Sequence, residues 1–123
     1  MLLIDKLSSK PVYEQIVEGI ERNILLGLYP VGGQVPSVRE LSVSLGINPN
    51  TIQKSYAELA RRGVICPSPG NGCFVAADAK ERMRERAVLT LDGLRKTVRD
   101  MRMAGVTRDE ILKIVNDAME EEP

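Results

Sequence analysis

Asn48, Asn50, Thr51, Gln53 and Lys54 place three amides, a hydroxyl and an ammonium within one short stretch. These are groups that read nucleic acid. An Asn or Gln amide donates and accepts together and so matches an adenine edge with two bonds. A Thr can meet a thymine methyl or a phosphate, and a Lys can meet phosphate or guanine. Arg39 lies near the start of an earlier apolar-periodic stretch, where a cation opposes the local helix dipole. A DNA phosphate or guanine is its expected partner, and an ion pair with Glu40 or Glu58 is the alternative within the chain. Ser37 precedes it as a cap. Gly70-Asn71-Gly72 is either a turn needing positive φ or a tip whose bare backbone approaches a groove or phosphate closely. Ser37, Arg39, Asn48, Asn50, Thr51, Gln53, Lys54, Gly70, Asn71 and Gly72 are therefore the candidate contacts to double-stranded DNA.

Other chemistries find little material. The chain has no His, which excludes Ser-His-Asp and Cys-His catalysis and His-ligated zinc. Cys66 and Cys73 are too few for a zinc site of their own or a disulfide scaffold. They flank one loop, where they are either a cross-strand redox pair or two small half-buried side chains. Glu120-Glu121-Glu122 is expected to be a solvated tail, with no base or metal set beside it. No enzyme activity, metal or cofactor is expected, and no residue pattern points to a small-molecule effector.

The elements that must position the polar set follow from periodicity. Tyr13, Ile16, Val17, Ile20 and Ile24 stripe one helix that opens at Pro11 and stops at Gly27. Ser37 and Glu40 form a predicted capping box for a second helix carrying Val38, Leu41 and Leu45. Gly46 ends it, and Asn48-Pro49 opens a third helix with Ile52, Tyr56 and Leu59 inward and Gly63 at its end. Two short helices across a tight glycine turn are a helix-turn-helix, whose second member enters the major groove. Val64-Ile65-Cys66 and Cys73-Phe74-Val75 then bracket a Pro- and Gly-rich loop, a small β-hairpin that must lean on the helices.

From 78 onward the pattern changes. Ala87, Leu91, Leu94, Val98 and Met101 recur at heptad spacing along one predicted helix over 78–103. Ala104-Gly105 breaks it, Thr107 and Glu110 form a second capping box, and Ile111, Ile114 and Val115 stripe a final helix. Two helices cannot bury such a face on their own, so a dimer seam is favoured over an intrachain core. The expected architecture is mainly α with a small β-hairpin. A winged helix-turn-helix over 1–77 is followed by a two-helix C-terminal dimerisation tail over 78–123.

The whole chain has 123 residues, 43% hydrophobic and 28% charged, which suits a soluble globular protein. Seventeen basic and 17 acidic residues cancel, so bulk charge does not reveal a nucleic-acid partner. The distribution is less even: Arg39, Lys54, Arg61 and Arg62 outnumber Glu40 and Glu58 over 33–77, and the region from Asp109 onward is acidic, which permits a basic surface on one face. No apolar run is long enough to span a membrane. Met1-Leu2-Leu3-Ile4-Asp5 meets a charge too early for a signal peptide, so a cytoplasmic location and no membrane partner are expected.

The strings Pro11-Val12-Tyr13-Glu14-Gln15-Ile16, Val35-Pro36-Ser37-Val38-Arg39-Glu40-Leu41, Leu45-Gly46-Ile47-Asn48-Pro49-Asn50-Thr51-Ile52 and Gly70-Asn71-Gly72-Cys73-Phe74-Val75 fall in one order over half the chain. Together they resemble the GntR family of bacterial transcription regulators. Asn48-Pro49-Asn50-Thr51 and the short tail are similar to its YtrA subfamily. That resemblance implies a dimerising tail without a large effector domain. It also implies DNA contacts from Arg39, from Asn50, Thr51 and Gln53, and from the wing glycines. Such regulators are typically homodimeric repressors on pseudo-palindromic operators, often of transporter operons. Gln53 stands where many relatives carry arginine, and Pro67-Ser68-Pro69 lacks the basic residues common in that wing. The rival reading is a winged helix used as a protein-interaction module without DNA.

Overall fold

A computed structural model describes residues 2–122. The chain forms two compact units that divide between Arg84 and Glu85. The first contains α1 (Val12–Leu25), α2 (Val38–Leu45), α3 (Pro49–Arg61), β1 (Ile65–Ser68), β2 (Gly72–Val75) and the opening turns of α4 (Ala79–Val88). The predicted stripes form the core except at Tyr13, which stays half-buried outside it beneath Lys54, and at Val38 and Leu45, which pack on its edge only partly buried. Ile16, Val17, Ile20 and Ile24 of α1 meet Ile52, Tyr56 and Leu59 of α3, with Leu41 of α2 and Val64, Ile65 and Val75 of the hairpin. Ala79 and Met83 belong to the same core, which carries the first unit to Arg84, beyond the expected edge at 77.

Two hydroxyls stitch α3 in place. Tyr56 Oη donates to the Pro36 carbonyl at 2.6 Å, and burial pushes its pKa well above the ordinary tyrosine value. Ser55 is fully buried and shares its proton between the carbonyls of Tyr13 at 3.0 Å and Thr51 at 3.1 Å. A buried hydroxyl without such acceptors would cost more than the apolar packing around it returns.

The hairpin is antiparallel, with Cys66 opposite Phe74 and Pro67 opposite Cys73. Opposed residues share a face and successive residues alternate, so the two thiols lie on opposite faces and cannot be joined in this register. Both cysteines are free, Cys66 exposed and Cys73 half-buried with its thiol pKa raised by burial. Two strands this short are marginal alone. The connector before α2 supports them. Gly32 N–H donates to the Val75 carbonyl at 3.0 Å, Val75 N–H to Gly33 at 2.8 Å and Val35 N–H to Cys73 at 2.9 Å.

The second unit holds the end of α4, α5 (Leu91–Met103) and α6 (Arg108–Glu120). The helix expected to run unbroken over 78–103 is interrupted at Leu89-Thr90. Thr90 donates both its N–H, at 3.0 Å, and its hydroxyl, at 2.7 Å, to the Ala87 carbonyl. That local bonding competes with the helical ladder. α6 opens on the predicted capping box, with the Thr107 hydroxyl accepting from Glu110 N–H and the Glu110 carboxylate accepting from Thr107 N–H. Neither α5 nor α6 buries a residue.

Candidate nucleic-acid interface

The turn between α2 and α3 is built from its own residues. Gly46 takes φ 65°, a left-handed conformation natural to glycine. Ser42 Oγ donates to the Ile47 carbonyl at 2.5 Å, and Lys6 Nζ to the Gly46 carbonyl at 3.3 Å. Ile47 is buried beside them and anchors the turn. Asn48 Oδ1 then accepts from Asn50 N–H at 2.8 Å and Pro49 occupies the first helical position, so α3 starts without a free amide to spare.

On α3 the buried side is Ile52, Ser55, Tyr56 and Leu59. At 100° per residue the opposite side is centred on Asn50, Gln53, Lys54, Ala57 and Arg61, and all five are exposed. Amide groups head this face, an alanine sits in its middle, and cations flank it. A small residue there leaves the middle of the face low, so that a partner surface can approach the helix axis closely. Thr51 lies half-buried at the edge. Lys54 Nζ rests 3.8 Å from the centre of the Tyr13 ring, a cation–π contact that holds the ammonium beside α1.

Arg39 is exposed in the first turn of α2 and has no acidic partner among the described residues. Glu58, one of the two carboxylates considered for it, is instead held by Arg61 and Arg62. The wing tip is a type II turn over Ser68-Pro69-Gly70-Asn71. Asn71 N–H donates to the Ser68 carbonyl at 2.9 Å, with proline at its second position and Gly70 at φ 81° in its third. Gly70, Asn71 and Gly72 are all exposed.

Residues 12–75 match the family of bacterial regulatory proteins known as gntR. The chain belongs to the GntR family. It is 36% identical over 112 residues to the HTH-type transcriptional repressor YtrA of Bacillus subtilis, covering 90% of this chain and 86% of that one. A GntR family transcriptional regulator from Listeria monocytogenes shares the fold with a TM-score of 0.72 at 32% identity, over 93% of this chain and 98% of that one. The AraR DNA-binding domain in complex with operator ORR3 aligns with a TM-score of 0.53 at 30% identity, over 62% of this chain and 95% of its own.

Within this GntR chain the expected contact residues divide by what their side chains already do. Arg39, Asn50, Gln53, Gly70, Asn71 and Gly72 are exposed, and Lys54 is exposed but leans on Tyr13. Ser37 and Asn48 spend an oxygen on capping α2 and α3. The capping box predicted for α2 is half formed: the Ser37 hydroxyl accepts from Glu40 N–H at 3.0 Å, while the return bond to the Glu40 carboxylate is absent. An exposed Glu40 carboxylate gains little by giving up water for that bond. Ala57 and Arg61 were missed. Their signal is arithmetic, since i+7 and i+11 from Asn50 continue the face already begun.

Arg61 closes that face as a neutralised cation. Glu58 accepts from Arg61 Nε at 2.8 Å and from Arg62 Nε at 2.9 Å, and these bonds lower its carboxyl pKa from 4.5 to about 2. Arg62 also reaches Glu21 of α1 at 3.0 Å, tying α1 to α3. A carboxylate with a depressed folded-state pKa contributes stability that is complete above its unfolded pKa and fades as pH falls through the folded one. The urea midpoint should therefore decline between about pH 4.5 and pH 2 partly through Glu58. Glu58→Gln should lower the midpoint at neutral pH and flatten that decline. An unchanged acid profile in the variant would remove Glu58 from the account.

The candidate seam residues lie in the second unit. Ala87, Leu91, Leu94, Met101, Ile114 and Val115 are exposed, while Val98 and Ile111 are half-buried. Leu94, Val98, Met101, Ile111, Ile114 and Val115 line a single groove of about 520 Å³. Ala87 stands on α4, across the Leu89-Thr90 break from the other four heptad positions.

Proposed function

We propose that this GntR protein is a homodimeric, operator-binding repressor acting in the cytoplasm, with no enzymatic step and no cofactor. One observation carries the reading: α3 presents Asn50, Gln53 and Ala57 outward from a packed scaffold, next in sequence to an α2 whose exposed Arg39 has no acidic partner among the described residues. α3 would read base edges in the major groove, while Arg39 and the wing tip approach phosphates or the flanking groove. Residues 1–77 together with the first turns of α4 would form the DNA-binding part, and the remainder of 78–123 the dimerisation part. Two-fold symmetry asks for half-sites about one helical turn apart, roughly 10 base pairs. Repression would follow from blocking a promoter. The operator complex of AraR and the repressor role of YtrA support the assignment by kinship.

The test is selection from a randomised duplex library, followed by salt titration of the selected fragment. Selection should return a two-fold symmetric site. The logarithm of its association constant should fall linearly and steeply with the logarithm of salt, because phosphate contacts release counterions. No enriched site at low salt from folded protein would overturn the proposal. Salt-insensitive capture of a polypeptide would point instead to a protein-interaction module.

A further inference from the structure

The wing tip is fastened to the chain segment that opens α2, and one side chain makes the fastening. Gln34 lies in the connector between α1 and α2, with only Val35 and Pro36 between it and the Ser37 cap. Its backbone bridges antiparallel to Phe74 of β2. Its side chain reaches further along the hairpin, where Nε2 donates to the Asn71 carbonyl at 3.1 Å. A Cβ built on Gly72 would collide with that same amide, so Gln34 fills the space that the glycine leaves. Gly72 is also at φ 100°, a conformation that a larger residue would strain.

This contact has a directional consequence. A trans peptide is planar, so holding the Asn71 carbonyl fixes the Asn71–Gly72 plane and with it the approach of the tip. The other bonds at the tip are internal to it: Asn71 N–H to the Ser68 carbonyl, and Asn71 Nδ2 to Ser68 Oγ at 3.3 Å. They shape the turn without relating it to the helices. The bonds from Gly32, Gly33 and Val35 fix the base of the wing at Val75 and Cys73, short of the tip. Among the described residues, Gln34 alone links the connector to the tip carbonyl.

Resting on the operator-binding reading above, we propose that Gln34 is a positioning residue for DNA recognition. It sets the wing tip Gly70-Asn71-Gly72 relative to Ser37 and Arg39 at the head of α2. The wing carries no cation of its own between Ile65 and Val75, so its contact with a duplex depends on backbone and amide groups, which act only when held in place. Gln34 contributes through geometry and need not touch the duplex.

The experiment uses the full chain and the duplex that the parent protein selects from a randomised library. Gln34→Met keeps length and removes the donor without adding charge; Gln34→Ala shortens the side chain as a second variant should methionine pack poorly. Hydroxyl-radical footprinting reads the flanking groove and methylation protection reads guanines in the major groove. The expected result is a loss of flanking protection with major-groove protection retained, a roughly tenfold weaker affinity and a thermal midpoint near the parent's. Either variant giving the parent's footprint and affinity overturns the proposal. So does a uniform loss of all protections with a lowered midpoint in both variants, which would make Gln34 merely structural. A parent that selects no duplex removes the operator-binding reading first, whereas a parent that binds beside indifferent variants removes this inference alone.

Discussion

Replacing Leu94 and Val98 together by Asp is expected to convert the protein to monomers in light scattering and to weaken operator binding by roughly 10²- to 10⁴-fold, the range over which tethering a second binding module raises avidity. Both residues lie on the apolar groove of α5 and α6. Leu94 is 54% exposed, Ile114 68% and Met119 82%, more apolar surface than a lone helical pair ordinarily leaves in water. A second copy suits this face by charge as well. α5 carries Arg95, Lys96, Arg99 and Arg102, whereas α6 carries Asp109, Glu110, Asp117 and Glu120. Among the described residues of α5 and α6, the pairs Lys96–Asp100 and Lys113–Asp117 and the Thr107–Glu110 cap engage only some of these charges. A two-fold seam can set the basic flank of one α5 beside the acidic flank of the other copy's α6. Carboxylates placed in the groove would have to be desolvated on association without partners. The first unit keeps its core, so circular dichroism of the variant should report a folded chain. Dimers that persist in the double variant would remove the seam.

The helices of the first unit were legible in the sequence because each writes its period and its punctuation in the same residues. Ile16, Ile20 and Ile24 fix the face of α1, and Asn48-Pro49 fixes where α3 begins. The wing was legible as a hairpin, but its support was not. The hold of Gly32, Gly33 and Val35 on β2 consists of backbone bonds, which leave no side-chain signature. The Leu89-Thr90 interruption was hidden for a related reason. Thr is acceptable within a helix, and only its bonding to Ala87 shows that it ends one. At the candidate site, outward direction followed from period, whereas prior commitments did not. That Lys54 lies on Tyr13 and that Arg62 reaches Glu21 are facts of tertiary placement, whereas the caps by Ser37 and Asn48 are local and were legible in the sequence.

Those commitments decide which variant separates recognition from folding. Arg39→Ala should weaken binding to the selected duplex by roughly a hundredfold or more, the scale of one charge-assisted hydrogen bond of about 1.5–3 kcal/mol repeated in each half-site. Thr51→Ala should weaken it less, by about 1 kcal/mol for a neutral bond or methyl contact. Neither change should move the thermal midpoint much. Arg39 has no acidic partner to lose among the described residues. Thr51 serves the fold through its carbonyl, which accepts from Ser55, and alanine leaves that carbonyl in place while favouring the helix. Salt then distinguishes the two ways Arg39 can act. If it meets phosphate, the variant loses affinity evenly across sequences and its salt slope shrinks by about one per subunit. If it meets guanine, the slope stays and discrimination at one base pair relaxes. Binding by both variants as tight as the parent's would remove the head of α2 and the edge of α3 from the interface, and the outward face of α3 would have to act without them.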